Sequence, residues 1–140
     1  MRALLLLTLM VSLALAGIYP DPWSGSEGLD VVRISDGEAV VPQEHLAAGK
    51  FTIVEVGASW CSPCHVAAKS LQSYLPVHPD VAVRTVNLAG SPSQSREQPA
   101  AQLLPGRARI PYFEVYDPSG KRLYHGNSLD RALRRIERHR

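Results

Sequence analysis

The chain has 140 residues, 45% of them apolar, with 15 Lys and Arg against 13 Asp and Glu and only two cysteines. That length holds one domain and not two, and it can bury a core without help from a metal or a disulfide. A net charge of +2 demands neither nucleic acid nor an acidic partner, and one closely spaced cysteine pair is not the framework of a disulfide-built scaffold.

Residues 1–16 read as a secretory signal peptide. Met1-Arg2 supplies a positive start, Ala3 to Leu15 is apolar except for Thr8 and Ser12, and Ala14-Leu15-Ala16 offers a small-x-small cleavage pattern. The apolar run is shorter than the roughly 20 residues a bilayer-spanning helix needs. The mature chain is therefore expected to start at Gly17 without a stable membrane span. It is expected to work after export, in a periplasm or at the cell exterior, with an uncleaved N-terminal anchor as the alternative.

Residues 17–29, rich in Pro, Gly and Ser, read as an irregular lead-in to a domain at 30–140. Two short strands are predicted at 30–34 and 38–41, joined by the turn signal Ser35-Asp36-Gly37. A short helix follows at 42–48, opened by Pro42 and closed by Gly49. The run Phe51-Thr52-Ile53-Val54-Glu55-Val56 is β-branched and mostly apolar, the pattern of a strand buried on both faces. From about Ser62 to Leu75, Cys64, Ala68, Leu71 and Leu75 recur at helical spacing and share one face. A strand is predicted at 81–88, and a short helix from about Arg96 to Leu104. A hairpin of strands 112–116 and 122–125 turns at Asp117-Pro118-Ser119-Gly120. The last helix starts near Ser128, a candidate N-cap, and buries Leu129, Leu133 and Ile136. Its excess of arginines fits a solvated helix whose cations gather near the C-terminus, where the macrodipole favours them. The order predicts an α/β fold: a central mixed β-sheet flanked by helices, its hairpin antiparallel and the rest parallel through crossovers.

The chemistry lies at Cys61-Ser62-Pro63-Cys64, where the buried strand hands over to a helix. A helix N-terminus favours an anion, so a thiolate there has a lowered pKa, and the thiolate is the nucleophile. Cys61 takes the exposed first position; Cys64, one turn later, lies beside it and is more buried. That suits attack on a disulfide by Cys61 and resolution by Cys64. Three other readings share the spacing. A zinc site needs about four ligands, and no second cysteine pair accompanies the scattered His45, His78, His125 and His139. A structural disulfide closing so short a loop constrains the unfolded chain little. Cys61-Ser62-Pro63-Cys64-His65 also fits the attachment pattern of c-type haem, although both methionines, Met1 and Met10, fall in the leader.

Val54 through Cys64, a hydrophobic strand, a small residue, Trp60 and then Cys-x-Pro-Cys, resembles the active-site segment of thioredoxins. Ile110-Pro111 matches the family's cis-proline position, and Gly126 a glycine near its active-site surface. The resemblance covers roughly Asp30 to the C-terminus. It implies a thioredoxin fold with a short N-terminal strand extension and a redox-active disulfide between Cys61 and Cys64. Cys61 would attack and Cys64 resolve; Trp60, Ile110, Pro111 and Gly126 would contact substrate. Glu55 falls at the position of a buried acid, usually Asp, tied to proton transfer at the resolving cysteine. Burying a lone charged Glu is costly, so its pKa is expected to be raised.

The sequence departs from the thioredoxin pattern at Ser62, His65 and Lys69. It also has Thr85 where the family has a buried Lys, with Arg84 turned to the strand's other side, and its 89–100 loop is long. The resemblance therefore implies an exported thiol–disulfide oxidoreductase, a protein-disulfide reductase somewhat more than an oxidant, without cofactor or metal. Its partners would be protein disulfides or dithiols and a redox partner protein. The alternative is a thioredoxin-fold binding or chaperone-like module whose cysteine pair is structural.

Overall fold

A computed structural model of the protein describes residues 19–140; the predicted signal peptide lies outside them. Five strands build one mixed sheet: β1 (Val31–Ser35), β2 (Phe51–Gly57), β3 (Val81–Asn87), β4 (Tyr112–Tyr116) and β5 (Arg122–Gly126). Their spatial order is β1-β3-β2-β4-β5. β3 runs parallel to both β1 and β2, whereas β4 is antiparallel to β2 and to β5. The apolar run that reads as a buried strand is the central one, and every residue of β2 is buried.

Two helices, α1 (Ser62–Tyr74) and α2 (Leu129–Arg138), lie on one face of the sheet. Ile53, Val83, Phe113 and Val115 point from the strands into that layer and meet Ala68 and Leu71 of α1 and Ala132 and Ile136 of α2. Ser128 caps α2, its hydroxyl accepting from the Arg131 N–H at 3.2 Å. The opposite face carries Val54, Val56, Val86, Tyr112 and Tyr116. It is covered by irregular chain and short 3-10 turns, including Pro92–Glu97 and Pro99–Leu103.

Three predicted elements take another form. Residues 38–41 do not join a sheet: the Ser35 hydroxyl donates to the Glu38 carbonyl at 2.6 Å, and the Glu38 carboxylate accepts from the Asp36 N–H at 2.8 Å. That local turn consumes the groups a strand would offer to a neighbour. The helix expected over 42–48 is a single 3-10 turn, Pro42–His45. The helix expected from Arg96 to Leu104 is split at Pro99. Gln98 before it is extended, at φ −75° and ψ 144°, because a following proline disfavours the α conformation.

Residues 19–29 are irregular, but they are packed. Trp23 belongs to the core under the helices and is only 8% exposed.

Candidate active site

The chain leaves β2 at Gly57 and enters α1 with Cys61 as the N-cap. The Cys61 Sγ accepts the Cys64 backbone N–H at 3.2 Å, so the sulfur takes one of the donors a helix start leaves unpaired. Pro63 sits in the first turn, where its missing N–H costs nothing. Cys61 and Cys64 are joined in a disulfide, with their Cα atoms 5.2 Å apart. The predicted exposure of Cys61 does not hold: it is 4% exposed and Cys64 is fully buried. Trp60 and Ile110 pack against the cluster that contains both sulfurs, and the Ile110 carbonyl lies 3.8 Å from Cys61 Sγ.

The sequence-predicted residues arrive from three parts of the chain. Trp60 precedes the pair, and its indole N–H is buried without an acceptor. Ile110-Pro111 comes from the loop before β4, and the peptide bond between them is cis. Gly126 ends β5 opposite Phe113. A Cβ there would lie 2.6 Å from the Tyr124 hydroxyl, which is held in place by accepting the Ser128 N–H at 3.1 Å. Asn127, which sequence reasoning missed, donates its amide to the Pro111 carbonyl at 3.1 Å and also to that of Arg109. It thus ties the proline loop to the start of α2. Pro63, Val66, Pro111, Asn127 and Leu129 line a shallow apolar groove beside the disulfide. His65 is engaged elsewhere, its Nε2 donating to the Ser59 carbonyl at 2.7 Å.

Glu55 lies beneath the pair, 2% exposed, and does not reach water at a strand end. Burial pushes its carboxyl up to about 8, against a smaller opposing pull from the Trp23 indole, which donates to Oε2 at 3.3 Å. Glycine at position 57 makes the approach to the cysteines possible. A Cβ there would collide with Glu55 Oε1 and lie 3.2 Å from Cys64 Sγ, so carboxyl and sulfur border the same small space. The strand register sets Thr85 of β3 and Phe113 of β4 on either side of Glu55. Arg84, one residue away, points to the other face and pairs with Asp30 at 2.8 Å. No cationic side chain of β3 therefore neutralises the acid. Among the described residues, no three His, Cys, Asp or Glu side chains converge as a metal-binding group.

This arrangement can store and release two electrons at one disulfide. It holds the Cys61 sulfur against a helix N–H donor and near the part-buried Ile110 carbonyl, with a protonated carboxyl near the Cys64 sulfur. The chain is similar in structure to a thioredoxin from Trichomonas vaginalis, with a TM-score of 0.60, 20% identity, and 79% of this chain and 98% of that one covered. It is similar to a chain of the complex of ferredoxin:thioredoxin reductase and thioredoxin f2, with a TM-score of 0.57, 20% identity and coverage of 79% and 94%. A thioredoxin from Trypanosoma brucei brucei gives 0.53, 19% identity and coverage of 82% and 93%. No protein-family model matches the sequence, and no curated protein does. At these identities the likeness establishes the architecture: the chain has the thioredoxin fold.

Proposed function

We propose that this thioredoxin-fold chain is an exported thiol–disulfide oxidoreductase that exchanges disulfides with protein substrates through Cys61 and Cys64. The observation that carries the reading is the Cys61–Cys64 disulfide at the start of α1, facing the carbonyl of Ile110. In the reductive direction the Cys61 thiolate attacks a substrate sulfur, forming a mixed disulfide and expelling one substrate thiolate. Cys64 then passes its proton to the Glu55 carboxylate, ionised when the disulfide was opened, and attacks the Cys61 sulfur. The second substrate thiolate leaves, and two electrons have moved from the dithiol to the substrate. A dithiol partner protein must return those electrons by opening the Cys61–Cys64 bond. In that step Cys64 is the leaving group and takes its proton back from Glu55.

Trp60, Ile110, Pro111 and Gly126 form the surface a substrate chain would meet, with the Ile110 carbonyl able to accept a substrate N–H. The residues between the cysteines, Ser62 and Pro63, add no cation to stabilise the Cys61 thiolate, which favours reduction over oxidation. The engagement of His65 Nε2 with the Ser59 carbonyl favours disulfide exchange over haem ligation. Reduction of insulin in the presence of dithiothreitol tests the proposal. Wild-type protein is expected to accelerate it and Cys61→Ser to do nothing. Equal rates would leave a binding module with a structural cysteine pair as the better reading.

A further inference from the structure

The lead-in segment before β1 makes contacts that a passive tail has no need of. Asp21 accepts the Trp23 backbone N–H at 3.0 Å, and both of its carboxylate oxygens accept from Arg33 of β1 at 2.7 Å. Gln72 of α1 donates to the Ser24 carbonyl at 3.0 Å and to the Ser26 hydroxyl at 2.9 Å. The segment is thus fastened to the sheet edge on one side and to α1 on the other. Between those fastenings Trp23 drops into the core and gives its indole N–H to Glu55 Oε2.

Pro22, Trp23, Arg33, Glu55, Gly57 and Asn87 are among the residues that line a cavity of about 10 Å³, room for about one water. Glu55 therefore links this cavity to the cysteine pair. Its Oε1 shares the space at Gly57 with the Cys64 sulfur, and both Glu55 and Gly57 border the cavity that Pro22 and Trp23 of the lead-in also line. The groups that face Glu55 can be named element by element. The lead-in brings Asp21 and Trp23, β1 brings Arg33, and α1 brings Cys64; β3 brings Thr85 and Asn87, and β4 brings Phe113. Among the described residues, the charged ones are Asp21 and Arg33, the two partners of the lead-in's own fastening.

We propose that the lead-in is part of the proton-handling apparatus of the site. In this role Trp23 is a positioning residue that holds the Glu55 carboxyl by Oε2, and the one-water cavity under Pro22 and Trp23 is the route by which that carboxyl exchanges its proton with solvent. The inference rests on the exchange reaction proposed above. A hydrogen bond to the charged form of a carboxyl favours ionisation, while burial opposes it. Changing the lead-in must therefore move the pH at which Glu55 titrates.

The test follows the Glu55 carboxyl carbon by NMR across pH in oxidised, glutamate-labelled protein, with Glu55→Gln assigning the signal. Trp23→Phe keeps the ring and removes the donor, and is expected to raise the Glu55 midpoint by about one pH unit. The pH profile for opening of the disulfide by dithiothreitol is expected to shift with it. Gln72→Ala changes no charge and loosens the segment from α1; by admitting water it is expected to lower the midpoint. It also serves as the second probe if Trp23→Phe does not fold. An unmoved midpoint in each folded variant overturns the proposal, and does so even if the wild type reduces insulin. A moved midpoint in a protein that fails to reduce insulin would sink the exchange reaction alone and leave the positioning of Glu55 by Trp23 standing.

Discussion

A Cys64→Ala variant is expected to stop halfway, joined to its substrate. Once Cys61 has formed a mixed disulfide, release requires a thiolate within reach of the Cys61 sulfur. Cys64, at a Cα separation of 5.2 Å, is the only other cysteine in the chain. Water does not cleave the bond under ordinary conditions, and the thiol that would resolve it from within, Cys64, is fully buried next to Cys61. Turnover should fall by about 10³-fold or more, the scale expected when one member of a jointly acting pair is removed. A covalent adduct should appear on a non-reducing gel and vanish with dithiothreitol, and mass spectrometry of the trapped species would name the substrate. An adduct that forms equally well on Cys61→Ala would reverse the assigned order of attack.

Glu55→Gln has the second large effect, and it acts in two opposite directions. With its carboxyl pushed up to about 8, Glu55 is protonated at neutral pH in the disulfide form and can deliver that proton as Cys64 leaves. Glutamine cannot, so opening of the disulfide by a dithiol should slow by on the order of 10²-fold. The fall of the wild-type opening rate as pH rises through about 8 should disappear with it. Stability moves the other way. An unfolded Glu loses its proton near the ordinary value of 4.5, whereas the folded one keeps it to about 8. Between those values the unfolded chain binds fewer protons, and wild-type stability falls with rising pH. The loss is complete above pH 8 and absent below 4.5. Each tenfold step in proton concentration between the two values is worth roughly 1.4 kcal/mol, so the penalty reaches a few kcal/mol. Urea denaturation of the oxidised proteins checks this: the Gln variant should overtake wild type in stability between about pH 5 and 9. Parallel curves across that range would mean that Glu55 is not buried as described.

The legible parts of the molecule are those in which local pattern and tertiary role coincide. β2 announces itself because a strand buried on both faces offers mostly apolar, β-branched positions, and its one ionisable residue, Glu55, thereby marks the site. Cys61 through Cys64 is legible because a helix start, a proline in its first turn and two thiols are all local. The 38–41 strand misleads because Val40 and Val41 have strand-like side chains, while Glu38 spends its polar groups on Ser35 and Asp36. The Arg96–Leu104 helix misleads because apolar spacing does not register that Pro99 forces Gln98 out of the helical region. Trp23 is the instructive omission. A tryptophan alone among Pro, Gly and Ser has no periodicity to place it, and its partner is 32 residues further along the chain. The available signal was the residue type: so large an apolar ring seldom stays on the surface of a loop.

The sheet's two faces are covered by material of unequal strength. On one side α1 and α2 offer unbroken hydrogen-bond ladders; on the other, the run 92–103 offers 3-10 turns, each with few bonds of poorer geometry, interrupted at Pro99. Protection against hydrogen exchange should therefore be lopsided, with amides of 92–103 exchanging long before those of β2 and α1. The cysteine pair borders the weaker side, sharing its cluster with Ala100 and Leu104. The sulfurs therefore sit next to the part of the cover expected to open first, while the strand and helix that hold them are expected to open last.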